Sequence, residues 1–272
     1  MTSRMRVGFI TIGQSPRDDV LNDLPETLRD IEAVQVGALD NLSAQQIAAL
    51  RPTNNETVYV SRLRDGSEVS IGKEKLIPIL EEKVEFLSKD VDVMVMLCSG
   101  NMNLRNSDEV IFPSKLLQQV VESMTKGKGE RIGIMIPEKS QMQLAKDEWI
   151  DFAEEVKVVS FSPYSDPIEN LEVCSRSLDD RDLIVMDCIG YSRRHAEIVR
   201  NVAGKPVVAA RGVAFQFLEN LIAGLPRQEN GHSPIDRPNK HRLIPNSFCS
   251  YCSEEMLFCR NVNYLLRRSQ LL

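Results

Sequence analysis

The sequence predicts an α/β fold with mainly parallel sheets, and three observations support this prediction. Short apolar runs rich in β-branched residues alternate with amphipathic stretches of helical length over residues 1–226. The length of 272 residues, with 42% hydrophobic and 26% charged residues, suits one large globular domain or two smaller lobes. A strand motif also occurs twice along the chain, which indicates two pseudo-equivalent lobes.

The first strand and helix are predicted from the start of the chain. Val7–Ile12 is apolar and of strand length. Ser15 is a plausible N-cap of the helix that follows, and Pro16 suits its first position. Asp18 and Asp19 would then lie in the electropositive first turn of that helix.

A hairpin interrupts the alternation of strands and helices. Asp65-Gly66 is a turn signal between the apolar segments Thr57–Leu63 and Glu68–Ile71. Ser43 and Gln46 have the spacing of a capping box at the start of a short helix. The remaining strands are expected at Val34–Leu39, Val91–Leu97, Arg131–Ile136, Lys157–Ser162, Leu183–Asp187 and Pro206–Ala210, and the remaining helices at Lys73–Ser88, Ser114–Thr125, Pro137–Glu155, Pro167–Leu178, Ser192–Val202 and Val213–Ile222.

The repeated motif includes two cysteines. Residues 92–101 and 182–191 agree at five of ten aligned positions, and the cysteine and the following glycine are among them. The strands that begin at Arg6 and Arg131 are also similar. Buried strands resemble one another in composition, but cysteine and glycine are not generic strand residues. Duplication is therefore favoured over chance similarity.

Charge and cysteine usage exclude several classes of protein. The formal net charge is -6; residues 227–272 contribute +3 and residues 1–226 contribute -9, which argues against a nucleic-acid partner. The chain has no apolar run of the roughly 18 residues that a membrane span requires, and its apolar start lacks a signal-peptide cleavage site. Six unevenly spaced cysteines favour a thiol-rich cytoplasmic protein over a disulfide scaffold.

Cys98 and Cys188 are the candidate catalytic residues. Each follows the carboxyl end of a predicted buried strand, where ligands bind in open parallel sheets. If the two lobes face a central cleft, the two thiols bracket a small substrate between two acid/base groups. Nearby helix starts and backbone N–H groups are expected to lower the thiol pKa values. The alternative is that each cysteine packs as a small hydrophobic side chain, and Cys174 fits that alternative better.

The turn after the first strand is a candidate anion site. The glycine allows the backbone to approach a ligand, and the helix N-terminus offers donors to a carboxylate. The turn has neither the P-loop pattern nor G-x-G-x-x-G, so a nucleotide is not indicated. A simply capped helix start is the alternative. The candidate ligand groups are Thr11, Gly13, Gln14, Ser15 and Arg17.

Further candidate binding residues follow the two cysteines: Ser99, Gly100, Asn101, Gly190 and Tyr191. Ordinary strand-to-helix turns are the alternative for these positions. His195 and Arg211 are auxiliary candidates. His195 fits a surface histidine better than a catalytic partner, and Arg211 equally suits an exposed helix residue or a carboxylate clamp.

These residues resemble the AroM family over about residues 5–225, and that family resembles the aspartate/glutamate racemase superfamily. The resemblance is carried by residues 8–16, by Cys98-Ser99-Gly100-Asn101, and by residues 187–191 with the following Arg-Arg-His195. It implies two pseudo-symmetric Rossmann-like lobes, with the chain returning to the first lobe at its end. It also implies cofactor-independent chemistry with Cys98 and Cys188 as the acid/base pair.

The residues beside the cysteines depart from the racemase pattern. Racemases usually have Cys-Asn-Thr and Cys-Thr-His at these places, whereas this chain has Cys98-Ser99-Gly100 and Cys188-Ile189-Gly190. Amino-acid racemisation is therefore one of several expectations, beside isomerisation or decarboxylation of a small carboxylic acid.

The predicted organisation is a first lobe of residues 1–104 plus 206–226, a second lobe of residues 105–205, and a linker-like or disordered extension of residues 227–272. Cys249, Cys252, Cys259 and His241 in the extension make only a partial zinc pattern, so no metal site is assigned.

The leading functional hypothesis is a cytoplasmic racemase- or isomerase-like enzyme that acts without a cofactor on a small carboxylic or amino acid. The alternatives are a protein that binds or senses a small carboxylate without turnover, and a redox-sensing cysteine pair. A second copy of the chain is a further candidate partner, as a homodimer.

Overall fold

Two four-stranded parallel sheets organise the chain. The computed structural model describes residues 4–53 and 56–224. The strands are β1 (Arg6–Thr11), β2 (Glu32–Gly37), β3 (Val58–Arg62), β4 (Glu68–Gly72), β5 (Val93–Leu97), β6 (Val110–Ile111), β7 (Arg131–Ile136), β8 (Glu155–Ser160), β9 (Leu183–Met186) and β10 (Val207–Ala209). The α-helices are α1 (Asp18–Leu21), α2 (Ala44–Ala49), α3 (Lys73–Leu87), α4 (Pro113–Thr125), α5 (Met142–Trp149), α6 (Ile168–Arg176), α7 (Arg193–Ala203) and α8 (Ala210–Ala223).

The two sheets have the same strand order. The first runs β2-β1-β5-β6, and the second runs β8-β7-β9-β10. Strands β1 and β7 therefore occupy equivalent positions, as do β5 and β9. We call the parts of the chain built on these sheets the first lobe and the second lobe. The predicted α/β fold with parallel sheets is confirmed.

The repeated residues make the same contacts in both lobes. The backbone N–H of Arg6 donates to the Asp92 carboxylate at 2.9 Å, and the N–H of Arg131 donates to the Asp182 carboxylate at 2.9 Å. The N–H of each aspartate returns a 2.8 Å bond to the carbonyl of its arginine. The sequence repeat therefore corresponds to a repeated junction between the two central strands of each sheet.

Apolar side chains cover both faces of each sheet. In the first sheet, Ile10 and Met96 pack on the α3 side, while Phe9 and Val95 pack on the side of α1 and α8. The second sheet is covered in the same way by α4 and α5 on one face and by α6 and α7 on the other. Alternate residues of a strand point to opposite faces, so strands covered on both sides are apolar throughout.

Two local predictions are confirmed by hydrogen bonds. The antiparallel hairpin β3–β4 pairs Val58 with Gly72 and Arg62 with Glu68. At α2, the Ser43 side chain accepts a bond from the Gln46 N–H, and the Gln46 side chain accepts one from the Ser43 N–H, as a capping box requires.

Two segments lie on different sheets from those in the predicted organisation. Strand β10 pairs with β9, so Val207–Ala209 extends the second sheet, and only α8 returns to the first lobe through Phe215 and Leu218. The two-residue strand β6 pairs with β5 and extends the first sheet beyond residue 104. A strand of two residues has no periodicity, and for this reason the sequence did not reveal it.

The predicted helix start at Ser15 is wrong. Helix α1 begins at Asp18, and its N-cap residue Arg17 makes no side-chain capping bond. The N–H and the hydroxyl of Ser15 both donate to the Asp40 carboxylate at 2.7 Å, which holds Ser15 against the loop after β2. Asp18 and Asp19 do lie in the first turn, as predicted.

The predicted long helix over Pro137–Glu155 is also wrong in extent. Its α-helical part is α5, with single 3-10 turns at Lys139–Gln141 and Ile150–Phe152. Glu155 already belongs to β8, where it pairs with Arg131 in parallel register. Tertiary strand pairing thus ends the helix earlier than the amphipathic pattern indicates.

Within the described ranges, every helix is too short or too polar to cross a membrane. The predicted extension over residues 227–272, with its cysteines and His241, lies outside the described residues.

Candidate active site

Cys98 and Cys188 line the same cavity. Cys98 directly follows β5, and Cys188 is the second residue after β9. Both cysteines therefore lie at the carboxyl ends of two equivalent strands. The cavity has a volume of about 100 Å³ and is lined by both lobes and by β3 of the hairpin. Both cysteines are free and buried, with 8% and 6% of their surfaces exposed. The structure thus brings together two thiols that are 90 residues apart in the sequence.

Each cysteine sulfur receives the same backbone hydrogen bond. The Gly100 N–H donates to Cys98 Sγ at 3.4 Å, and the Gly190 N–H donates to Cys188 Sγ at 3.3 Å. A donor in this position stabilises a thiolate. The two glycines of the repeated motif therefore complete equivalent turns around the two sulfurs.

The predicted lowering of the thiol pKa values is wrong in sign. Burial raises the pKa of Cys98 to about 12 and that of Cys188 to about 11, despite the backbone donors. The charge of Arg17 acts in the opposite direction on both thiols, but desolvation outweighs it. At neutral pH both cavity thiols are therefore protonated in the absence of ligand.

The turn after Cys98 contributes all three of its predicted residues to the cavity wall: Ser99, Gly100 and Asn101. The backbone carbonyl of Asn101 accepts a 2.7 Å hydrogen bond from the buried Tyr59 hydroxyl. Tyr59 belongs to β3, so this bond attaches the hairpin to the Cys98 turn.

Gly100 permits the close approach of the hairpin to this turn. A Cβ atom at position 100 would lie 2.3 Å from Tyr59 Cε1. Gly100→Ala should therefore displace Tyr59 and lower the free energy of unfolding by about 1–3 kcal/mol, the usual cost of overpacking. Chemical denaturation measures this change.

Gly212→Ala is the matched control for that substitution. Gly212 lies in α8, and a Cβ atom there would meet nothing within 4 Å. This variant should be as stable as the parent or more stable by up to about 1 kcal/mol, because alanine is the better helix former. Equal stabilities for the two variants would contradict the proposed clash.

The turn after β1 attaches the hairpin instead of lining the cavity. Gly13 lies so close to the hairpin that a Cβ atom would be 2.4 Å from the Arg62 carbonyl oxygen. The Gln14 N–H donates to that same oxygen at 3.2 Å, and Thr11 Oγ1 accepts a bond from the Gly13 N–H. Ser15 is bound by Asp40, as described above. These four predicted binding residues are absent from the cavity wall.

Arg17 is buried behind the cavity wall. Its guanidinium forms two hydrogen bonds with the Asp19 carboxylate, at 2.8 and 2.9 Å. It also donates to the Tyr164 hydroxyl at 3.4 Å and lies 5.5 Å from the centre of that ring. Tyr164 lines the cavity, and Arg17 does not. Arg17, which was predicted to bind a carboxylate, therefore contacts the cavity wall through Tyr164, and its charge opposes the rise of the thiol pKa values.

The three predicted residues that follow Cys188, which are Gly190, Tyr191 and His195, pack into the second lobe. Tyr191 is fully buried and donates to the Phe161 carbonyl at 2.7 Å. Gly190 lies against Tyr164, whose hydroxyl would be 2.5 Å from a Cβ atom. His195 accepts a bond from the Ser192 N–H in the capping box of α7, and burial lowers its pKa. None of these three predicted residues lines the cavity.

Arg211 is buried, so the expectation of an exposed helix residue is wrong, and its guanidinium is paired with groups of this chain. It is 3% exposed, and its guanidinium donates to the Ile189 and Gly190 carbonyls at 2.8 Å. It also binds the Asp23 carboxylate at 2.6 Å. Arg211 thus holds the Cys188 turn against the first lobe.

Several residues of the cavity wall were missed by the sequence analysis. The polar ones are Thr57, Tyr59, Ser61, Lys73, Gln141, Glu148, Tyr164 and Asp187. Asp187 carried a signal, since a carboxylate directly after an apolar strand and before a candidate catalytic cysteine is unusual. The others come from segments remote in sequence, and no local pattern marks them.

The hairpin is also held by the second lobe. The Gln141 side chain donates to the Val58 carbonyl at 2.6 Å, and the Ser162 hydroxyl donates to the Glu68 carboxylate. The hairpin therefore bridges the two lobes beside the cavity. Among the residues the structure describes, no cluster of three or more histidine, cysteine or acidic side chains has the arrangement of a metal site.

Comparisons with known proteins agree with this architecture. The sequence profile of the family described as AroM protein matches residues 7–222. The comparison with curated proteins yields no significant match.

Three solved structures share the fold at low sequence identity. Allantoin racemase from Pseudomonas fluorescens is 13% identical with a TM-score of 0.51, over 83% of this chain and 94% of the other. Allantoin racemase from Klebsiella pneumoniae is 15% identical with a TM-score of 0.51, over 92% and 97%. The maleate isomerase Iso from Pseudomonas putida S16 is 17% identical with a TM-score of 0.53, over 81% and 94%.

Proposed function

The chain belongs to the AroM protein family, and from this premise we propose that it is a cofactor-independent racemase- or isomerase-like enzyme for a small carboxylic or amino acid. In this proposal Cys98 and Cys188 exchange protons with the substrate from opposite sides. The observation that carries the proposal is that the two thiols end equivalent strands of two lobes and line one cavity.

The protonation of the thiols supports a two-sided proton transfer. Their raised pKa values leave both as S–H donors at neutral pH. Removal of a proton from one face of a carbon then requires that one thiol lose its own proton, while the other donates its proton to the opposite face.

The size and lining of the cavity support a small substrate. Its volume of about 100 Å³ is well below the roughly 300–1,000 Å³ of pockets for drug-sized ligands. The Ser99–Asn101 segment offers hydrogen-bonding groups beside Cys98, and Lys73 contributes an ammonium group to the wall. We assign the substrate carboxylate to these groups, in place of the turn after β1.

A solvent-exchange screen tests the proposal. The protein is incubated in deuterium oxide with amino acids, hydroxy acids, maleate and allantoin, and NMR follows deuterium entry and isomer formation. At least one compound should exchange or isomerise at a rate proportional to protein concentration. Absence of exchange and of isomerisation across the panel would count against an enzyme of this class.

The second candidate is a protein that binds a small carboxylate without turnover. The changed residues beside the two cysteines favour it over a racemase that matches the superfamily pattern. A thermal-shift screen with the same compounds separates the two candidates. Stabilisation that persists in Cys98→Ala and Cys188→Ala, without solvent exchange, would favour binding. The cytoplasmic location and the homodimer remain predictions from the sequence.

A further inference from the structure

Asp187 lies next to both cysteine turns. Asp187 directly precedes Cys188 in the chain, and Ser99 directly follows Cys98. The Ser99 hydroxyl faces the Asp187 carboxylate. The Trp149 indole N–H donates to the same carboxylate at 2.9 Å. Asp187 is partly buried and lines the cavity together with Cys98 and Cys188. One carboxyl group is thus placed beside the two thiols by contacts from both lobes.

We propose that Asp187 is the shared proton acceptor and donor for both cavity thiols, taking the proton of one cysteine and returning a proton to the other. This inference rests on the proposed function, since it explains how two protonated thiols perform a two-sided proton transfer. It assigns to Asp187 a role that neither thiol can fill alone.

The proton transfers balance over one turnover. The S–H bond of Cys98 breaks, and its proton forms an O–H bond on Asp187. The Cys98 thiolate then takes the substrate proton, so that a C–H bond breaks, an S–H bond forms and the electron pair stays on the substrate. The Cys188 S–H bond breaks as its proton forms a C–H bond on the opposite face. The proton on Asp187 finally returns to the Cys188 sulfur, and all three groups regain their initial states. The reverse direction exchanges the two cysteines.

The surroundings of Asp187 suit this exchange. Burial raises its pKa to about 6, while the Trp149 and Ser99 donors oppose that rise. Asp187 is therefore mostly ionised at pH 7.5, when the thiols are not, and it can accept a proton. A carboxyl group with a pKa near the working pH is the more effective proton acceptor and donor.

Four titratable groups face Asp187. They are the thiols of Cys98 and Cys188, the Glu148 carboxyl of α5 and the Tyr191 hydroxyl. Burial and the charge of Asp187 raise the pKa of Glu148, and Lys73 opposes this rise. Because Glu148 neighbours Asp187, it provides a carboxyl-to-amide control in the same cavity.

Alkylation by iodoacetamide tests the proposal without a substrate. Site-resolved mass spectrometry measures the alkylation rate of each cysteine between pH 5 and 9. If Asp187 accepts the thiol proton, alkylation of Cys98 and Cys188 rises as Asp187 ionises near pH 6 and then levels off. In Asp187→Asn the rise disappears, and alkylation at pH 7.5 falls about 10²-fold or more, within the range of general-base effects.

If Asp187 has only an electrostatic or structural role, Asp187→Asn should change the alkylation rate in the opposite direction. Removal of its negative charge would then favour the thiolates, so Asp187→Asn would be alkylated faster. Faster or unchanged alkylation of both thiols overturns the proposal. The proposal is also overturned if iodoacetamide alkylates Cys174 in the parent protein but alkylates neither Cys98 nor Cys188.

Three comparisons control the experiment. Cys174, which is half-buried in α6 and donates to the Ser160 carbonyl, should react equally in all variants. Glu148→Gln should retain the rise of alkylation near pH 6, because the Asp187 carboxyl is still present. Ser99→Ala retains the Asp187 carboxylate but removes a hydrogen bond that lowers its pKa. The rise in the alkylation rate should therefore move to higher pH. This last variant also tests the proposal if Asp187→Asn does not fold. The expected alkylation profile without solvent exchange would support the role of Asp187 and refute the proposed function.

Discussion

Alanine in place of Cys98 or Cys188 is expected to lower the rate of substrate inversion or isomerisation by about 10³-fold or more, within the range of positioned acid/base groups. Each thiol serves one face of the substrate carbon in the proposed mechanism, so the remaining thiol cannot complete the transfer. The measurement is the steady-state rate for whichever compound is active in the solvent-exchange screen.

The two cysteine variants should also differ from one another. The thiol that remains in each variant can still remove a proton from its own face of the substrate carbon and return one to that face. Each variant should therefore retain deuterium exchange, but with a different isomer. Cys174→Ala is the control, since Cys174 lies outside the cavity wall. Exchange and inversion that persist undiminished in both cavity variants would refute the assignment of the two cysteines.

Replacement of Arg211 by methionine is expected to be the most destabilising single change among those considered. The substitution removes the donor of the Ile189 and Gly190 carbonyls and the cationic partner of Asp23, whose carboxylate keeps only the Arg193 N–H. Asp23 is partly exposed, but each buried carbonyl left without a donor costs about 1–3 kcal/mol, so the total is about 3–5 kcal/mol, as for breaking a buried ion pair. For a protein of this size, that corresponds to a fall in Tm of about 6–20 °C.

Arg194→Met is the matched control for this substitution. Arg194 lies exposed on α7, and surface changes of this kind usually stay within about 0.5 kcal/mol. Calorimetry or circular dichroism compares the melting temperatures of the two variants. If Arg211→Met melts at the same temperature as Arg194→Met, the guanidinium does not hold the Cys188 turn as described.

The predicted fold followed from local patterns. Apolar strands covered on two faces and the capping box at Ser43 depend on residues within one turn or one strand of each other. The repeat around Cys98 and Cys188 predicted their equivalent positions, and the shared strand order explains why these positions are equivalent. Strand β6 and the early end of α5 were missed because they are set by pairing with distant strands.

The structure brings the predicted centre of the site together, whereas the predicted residues of the turn after β1 lie away from the cavity wall. The Cys98 turn lines the cavity, as expected, because the end of a strand places its next residues at the edge of the sheet. The turn after β1 resembles an anion site by its glycine and its helix start. In the folded protein its polar groups are instead taken by the hairpin and by Asp40.

By itself, the sequence determined the α/β class, the two repeated halves and the pair of cysteines at equivalent strand ends. These features depend on side-chain periodicity along a few neighbouring residues, which the chain carries in every conformation. Only the tertiary structure decided that burial raises the thiol pKa values, that Arg17 and Arg211 are internal, and that Asp187 lies beside both cysteine turns. Desolvation and charge interactions depend on which distant segments exclude water together, and that arrangement exists only after the two lobes and the hairpin have packed.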